Sequence, residues 1–292
     1  MMDWIAVDWG TSNLRAWAMG DAGVLDHASS PDGMGTLKPD QFEGALLRLI
    51  DPWLTNRPIR VVACGMVGAR QGWREAPYRA VPCKPTGGVM TLSTNDERII
   101  VQIVPGLSQS KPADVMRGEE TQIAGVIALN PQFDGVICLP GTHSKWAHVS
   151  AGEVVSFQTF MTGEMFALLS KQSVLRHGMV DGKIDLIAFD DGVAEGIARP
   201  EKIMARLFSL RAEGLLNGLG ADSAFSRLSG LLIGAELAAA KPYWLGQAVR
   251  LVGAPNLSAN YARALKAQGV GAEILDDTAC SIAGLTAAKD NA

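Results

Sequence analysis

Asp8 closes an apolar run, Ile5-Ala6-Val7, and two residues later the chain turns through Gly10-Thr11-Ser12-Asn13 into a second run, Leu14-Arg15-Ala16-Trp17. Hydroxyl, amide and backbone donors at positions 11 to 13 suit an anion, and Gly10 lets the main chain approach one without a Cβ in the way. Asp8, at a strand end, suits Mg2+ held through water, since that ion keeps several waters and takes one or two carboxylates plus phosphate oxygens. The pattern predicts strand, phosphate-holding turn, strand. Taken alone, it fits an ordinary hairpin with a surface Asp equally well.

The same pattern recurs. The apolar run from Gly135 to Leu139 leads into Pro140-Gly141-Thr142-His143-Ser144-Lys145-Trp146. The recurrence predicts a second half built like the first, with two phosphate-holding turns facing each other across a cleft. Between them, Arg117-Gly118-Glu119-Glu120 opens a helical stretch with two carboxylates in its first turn. The helix dipole favours acid there, so capping explains one of them, and the second invites a chemical reading. The loop Gly65-Met66-Val67-Gly68-Ala69-Arg70-Gln71-Gly72-Trp73 joins glycines, a cation and an indole. It suits a pocket for a polar, anionic ligand, or else Trp73 fills the edge of the core. Thr162 reads as the N-cap of a helix that Glu164 supports. Gly253-Ala254-Pro255-Asn256, between strand and helix, suits a nucleotide but is frequent in any α/β protein.

The elements that must position these residues follow from periodicity. Strands are expected at 24–29, 59–64, 99–104, 135–139, 154–160, 248–252 and 272–275, with an extended 77–82 segment. Helices are expected over 39–54, from the 115–126 stretch to Asn130, from Thr162 to about Lys171, and over 203–210, 223–240 and 259–268, with a terminal helix from Thr278. Three strands, a helix and a strand is how a ribonuclease-H-like half begins. The chain of 292 residues, 48% hydrophobic, has material for two ordinary domains, joined near Asn130-Pro131. We therefore expect domains at 1–130 and 131–292, with the last helix able to return to the first.

A net charge of -4 argues against nucleic acid or an anionic membrane as main partner, so any anion must be held by local groups. The four cysteines are widely spaced without a C-x-x-C pair, and a reducing cytoplasm is their natural setting. The N-terminus does not read as a signal peptide, and the apolar stretch around 231–240 contains Glu236 and is too short to span a bilayer.

In combination and in order, D-W-G-T-S-N-L-R-A-W, G-M-V-G with G-W, A-P-Y before V-P, V-M-R-G-E-E-T-Q, P-G-T-H-S-K-W, M-T-G-E and G-L-L-I-G-A-E cover nearly the whole chain. They resemble the sugar-kinase branch of the actin, hexokinase and Hsp70 superfamily, and within it the 2-dehydro-3-deoxygalactonokinase family. The resemblance implies an α/β fold of two ribonuclease-H-like domains, an actin-like ATPase fold that closes over ATP and an acidic sugar at the interdomain cleft. It implies Mg2+ and transfer of the γ-phosphoryl group to the C6 hydroxyl of 2-dehydro-3-deoxy-D-galactonate. Asp8 would manage the metal, and Gly10, Thr11, Ser12, Asn13 and Arg15 would face the phosphates. Gly141, Thr142 and His143 would complete the grip, with Gly253, Ala254 and the Gly234 to Glu236 segment near adenosine. Gly65, Met66, Arg70, Trp73, Arg117, Thr162 and Glu164 would serve the sugar acid. Glu119 stands where relatives usually put an Asp, as the base, with Glu120 beside it as the alternative.

Two other classes share these features. An exopolyphosphatase-like hydrolase would use the same turns with water as nucleophile, and a nucleotide sensor would need an added DNA- or peptide-binding segment. Oligomeric state is left open, a homodimer being one option.

Overall fold

The computed structural model describes residues 1–180 and 182–291. The chain forms two compact units: Met1–Asp134 with Val149–Ser156 and Asp276–Ala292, and Gly135–His148 with Phe157–Leu275. The first begins with β1 (Trp4–Trp9), β2 (Leu14–Gly20) and β3 (Gly23–Ser30), joined by short turns. Helix α1 (Phe42–Ile50) follows; the periodicity predicting a helix over 39–54 is met by this shorter helix with a 3-10 turn at each end, each containing a proline. Then come β4 (Ile59–Gly65), β5 (Tyr78–Ala80), β6 (Met90–Thr91), β7 (Ile99–Ile103), β8 (Gly106–Ser110), β9 (Ala113–Met116) and α2 (Glu119–Leu129). The main sheet runs β3-β2-β1-β4-β7-β6. Its centre, β1 with β4 and β4 with β7, is parallel, and β2 and β3 fold back antiparallel. In a small sheet, β5-β8-β9, the first strand falls in the extended segment expected at 77–82, whereas β8 and β9 have no counterpart in the periodicity, because they are short and half polar.

The second unit has the same plan. Strands β10 (Gly135–Leu139), β11 (Ser144–Ser150) and β12 (Glu153–Phe160) are followed by helices α3 (Thr162–Lys171), α4 (Leu186–Ala198), α5 (Ile203–Leu216), α6 (Ala221–Ala239) and α7 (Lys241–Trp244). Strand β13 (Val249–Val252), α8 (Pro255–Ala267) and β14 (Ala272–Leu275) complete it, in the order β12-β11-β10-β13-β14, with β10, β13 and β14 parallel. The final helix, α9 (Asp277–Asp290), belongs to the first unit. In both units the central parallel strands are almost wholly buried, as strands covered on both faces must be.

Two glycine-mediated crossings hold the helices. In the first unit α2 lies against α9 so closely that a Cβ at Gly125 would fall 1.8 Å from the Cys280 carbonyl oxygen, and one at Gly284 1.8 Å from that of Thr121. In the second unit Gly192 and Gly196 of α4 meet Gly230 and Gly234 of α6 in the same way. Among the described residues no helix is long and apolar enough to cross a membrane.

A methyl group at Gly284 has nowhere to go, so Gly284→Ala is expected to lower the stability of the protein by about 1–3 kcal/mol in urea denaturation. Gly271→Ala, where nothing lies within 4 Å of the added carbon, is expected to leave the midpoint nearly unchanged.

Candidate active site

The first turn is braced from behind. Gly10 N–H donates to the Asn13 carbonyl at 2.9 Å, closing the turn between β1 and β2. The next loop clips onto it: Met34 N–H donates to Gly10 O at 3.0 Å and Gly35 N–H to Thr11 O at 2.9 Å. Gly33 lies on the Thr11-Ser12 backbone, where a Cβ would come within 2.3 Å. Trp9 is buried and its indole N–H donates to Asp32 O at 2.8 Å. Thr11, Ser12 and Asn13 are left exposed on this fixed base.

Asp8 sits at the end of β1, paired through Oδ2 with Arg15 Nη2 at 2.5 Å. Arg15 also reaches Asp277 Oδ2, at the start of α9, at 3.5 Å. These two carboxylates, with burial opposing them, raise the guanidinium pKa above its ordinary value. On the other side of Asp8, the Cys64 thiol lies 3.9 Å from Oδ1, and burial followed by this charge pushes the thiol well up, so it stays protonated.

Gly65 and Gly118 bring the second set of carboxylates to this place. Gly118 has φ 106 and its missing Cβ would stand 3.3 Å from the Gly65 α-carbon. Just beyond it, both acids of α2 fold back onto the helix start. Glu119 Oε2 accepts from Arg117 N–H at 3.1 Å, and Glu120 Oε2 accepts from Gly118 N–H at 2.7 Å. Glu120 also accepts from the Thr121 hydroxyl at 3.1 Å. Glu120 is fully buried, and burial, reinforced by the charge of Glu119, pushes its pKa up to about 8. Glu119 is only partly buried.

Arg117 is buried, 8% exposed; its Nη2 donates to Ala76 O at 2.7 Å, and its guanidinium stacks 4.3 Å from the Tyr78 ring centroid. Among the described residues its Nε and Nη1 have no hydrogen-bond partner. Met66 lies in a 3-10 turn directly after β4, and Arg70 is exposed. Trp73 packs on Trp9 and Phe42, at 6.3 and 6.5 Å between ring centroids, so the indole fills the edge of the core.

In the second unit the turn from Pro140 to His143 is braced by α3. Glu164 N–H donates to Thr142 O at 2.9 Å, and Gly163 lies on the Gly141 carbonyl, 2.2 Å from a built Cβ. His143 Nε2 is 2.5 Å from Glu164 Oε2. Thr162 is not the N-cap; that position is Met161, and the Thr162 hydroxyl instead bonds Glu236. Glu236, 3% exposed, also accepts from Trp146 Nε1 at 2.8 Å and from the Tyr261 hydroxyl at 2.7 Å. Burial raises its pKa, and these hydrogen bonds oppose the rise. Tyr261 in turn contacts Ser144 Oγ at 2.9 Å, tying the network to the base of the turn.

A cavity of about 460 Å3 opens beside this turn, lined by Gly141, Thr142, Thr162 and Ala254. Its walls also include Asn256, part of the turn read from the sequence as suited to a nucleotide, and Phe166, Phe225 and Asn260, which sequence reasoning did not single out. An aromatic on a helix has no signal that separates a pocket wall from a core position. Gly253 packs on the Pro140 carbonyl, joining β13 to the turn. Gly234 is buried in the α4–α6 crossing, its missing Cβ 2.5 Å from the Val193 carbonyl, so its lack of a side chain serves helix packing, while Leu232 and Ile233 just before it line the cavity.

A family model described as 2-keto-3-deoxy-galactonokinase matches residues 8–288. The chain belongs to this family. A relative from Rhizobium meliloti (strain 1021), named probable 2-dehydro-3-deoxygalactonokinase DgoK1, is 38% identical over 97% of this chain and 95% of its own length. The 2-dehydro-3-deoxygalactonokinase of Escherichia coli (strain K12) is 37% identical over 91% and 90%. A crystal structure from Sinorhizobium meliloti assigned to the same activity superposes with a TM-score of 0.90 at 37% identity, covering 98% of this chain and 95% of that one. MreB 5 of Spiroplasma citri, at 10% identity and a TM-score of 0.51 over 98% and 96%, shares the fold alone. The chain therefore has the actin-like fold, α/β with two related sheets.

Because Glu120 holds its proton more tightly folded than unfolded, its contribution to stability is full below its ordinary value of 4.5 and is lost as pH rises towards about 8. The unfolding free energy of the native protein, relative to Glu120→Gln, is expected to fall across that window. A difference that stays flat from acid to neutral pH means the carboxyl is ionised in the folded chain.

Proposed function

We propose that this galactonokinase-family chain transfers the γ-phosphoryl group of ATP to the C6 hydroxyl of 2-dehydro-3-deoxy-D-galactonate, giving the 6-phosphate and ADP in D-galactonate breakdown in the cytoplasm. The observation that carries this is the family match over residues 8–288, which includes both glycine-threonine turns and the acidic start of α2.

Each unit carries one braced turn whose donors suit phosphate. Gly10 to Asn13, with Arg15, offer donors from the first, and Gly141, Thr142 and His143 from the second. The 460 Å3 cavity beside Gly141 and Ala254 suits the adenosine, with Phe166 and Phe225 as apolar walls. Asp8 fits Mg2+ bound with phosphate oxygens and water: it is one partly buried carboxylate at a strand end, with Asp277 across Arg15. When bound, that ion supplies neutralisation of phosphate charge.

Phosphoryl transfer through a loose transition state asks a protein mainly for alignment and charge neutralisation, so these donors and one base suffice. Glu119 is the base that accepts the C6 hydroxyl proton. Glu120 is less suited, since it is fully buried and engaged by Gly118 N–H and the Thr121 hydroxyl. For the sugar-acid carboxylate, Arg117 is favoured over Arg70, because its guanidinium is fixed by Ala76 and Tyr78 and keeps two unpartnered nitrogens. Gly65, Met66, Thr162 and Glu164 complete the substrate reading, and the packing of Trp73 limits it to a supporting wall.

The test is coupled ADP release across 2-dehydro-3-deoxygalactonate, its gluconate epimer and neutral hexoses. Turnover is expected with the galactonate-derived acid; turnover confined to neutral hexoses overturns the assignment, and phosphate release without any sugar favours a hydrolase. Glu119→Gln is expected to lower kcat ~100-fold to 10,000-fold while the KM for ATP stays nearly constant. Wild-type turnover in that variant means a different group takes the proton.

A further inference from the structure

Among the described residues, helix α5 has one face that no other element covers. Leu207 and Leu210 point inward, packing with Leu175, Leu228 and Leu231. On another side, at spacings of three and four, stand Met204, Ala205, Phe208, Ala212, Leu215 and Leu216. The four large ones are 78%, 63%, 67% and 81% exposed in chain order. Arg211 flanks them on one side, three residues after Phe208 and four before Leu215. The helix's other charges lie away from the stripe and are paired within the chain, Arg206 with Glu195 at 2.5 Å and Glu213 with Arg227 at 2.6 Å. An apolar face of this kind with charge at its rim is what an interface looks like before it is covered.

We propose that this face binds the same face of a second copy of the chain, making a twofold dimer through antiparallel α5 helices. The spacing of large and small residues is self-complementary in that arrangement. A twofold axis crossing the helix near residue 210 sets Phe208 of one copy against Ala212 of the other, and the same pair again in reverse. It also sets Met204 against Leu216, and Ala205 against Leu215. Each bulky side chain thus meets either an alanine or an unbranched or terminal partner, which lets the axes approach to the ordinary interhelical distance. A partner of unrelated sequence would have no need of this internal symmetry, whereas an isologous interface requires it. Antiparallel helices also oppose their macrodipoles favourably.

The area is of the right order. The four large side chains present on the order of 500 Å2 of apolar surface, and the two alanines and the stems of neighbouring polar residues bring the total towards the about 800 Å2 per partner of a standard interface. No α5 residue is among those that line the 460 Å3 cavity, so assembly through this face and occupancy of that cavity are separable.

The proposal is tested by sedimentation velocity over a dilution series of the full-length protein, with Phe208→Glu and Leu216→Glu measured alongside. The wild type is expected at twice 30.9 kDa, and each variant at 30.9 kDa with an unchanged far-UV spectrum and wild-type ADP release. Because both positions are exposed, neither substitution threatens folding. A wild type at 30.9 kDa even at its highest soluble concentration, or variants that keep the wild-type mass, overturns the proposal.

Discussion

The first unit depends on backbone meeting backbone. Helix α2 reaches the ends of β1 and β4 only because Gly118 can sit on Gly65, and α9 reaches α2 only because Gly125 and Gly284 leave room for the carbonyls of Cys280 and Thr121. A single methyl group at any of these points would push a helix outward. The result of the approach is chemical: acids from three remote stretches, Asp8, Glu119 with Glu120, and Asp277, come to one place. Backbone donors at the helix start and the charge of Arg117 favour the acids of α2, while the guanidinium of Arg15 bridges Asp8 and Asp277.

Both phosphate-type turns are built on the same physical plan, although no residue-by-residue identity demands it. In each, the exposed donors ride on a buried strand and are clipped from behind by another loop or helix, the 33–35 segment in one case and Gly163-Glu164 in the other. In each, a carboxylate and its hydrogen-bond partners stand beneath or beside the turn: Asp8 with Arg15, and Glu236 with Trp146, Tyr261 and Thr162. Buried polar groups of this kind are tolerated when every member is satisfied, and then they make the turn rigid. Rigid donors are what phosphoryl transfer needs, because dipoles already aimed at a developing charge need no reorganisation when it appears.

The two neighbouring acids of α2 show how one helix start separates roles by depth. Both side chains bend back to backbone N–H groups, yet Glu120 is turned into the protein and shifted to about 8 while Glu119 stays at the partly accessible level. The sequence lists them as equals. Their difference arises from which side of the first helical turn faces Cys64 and Thr121.

What could be read from the residues alone was what local forces decide. The apolar runs gave β1, β10 and β14 their places, Gly-Thr chemistry marked both turns, and the acidic first turn marked the start of α2, because each is settled by near neighbours along the chain. Proline set where α1 narrows into 3-10 turns, though periodicity alone made that helix too long. The tertiary structure decided the rest. Arg15 meets Asp277 across 262 positions and Ser144 meets Tyr261 across 117, and no pattern in the sequence distinguishes those partners from other polar residues. The same holds for Gly234, which sits in a ligand-like motif yet spends its missing side chain on a helix crossing, and for Phe166 and Phe225, whose pocket exists only once α3 and α6 have packed. Burial is a property of the folded whole, so whether a glycine, an acid or an aromatic ends up as scaffold or as site is settled only when distant elements close around it.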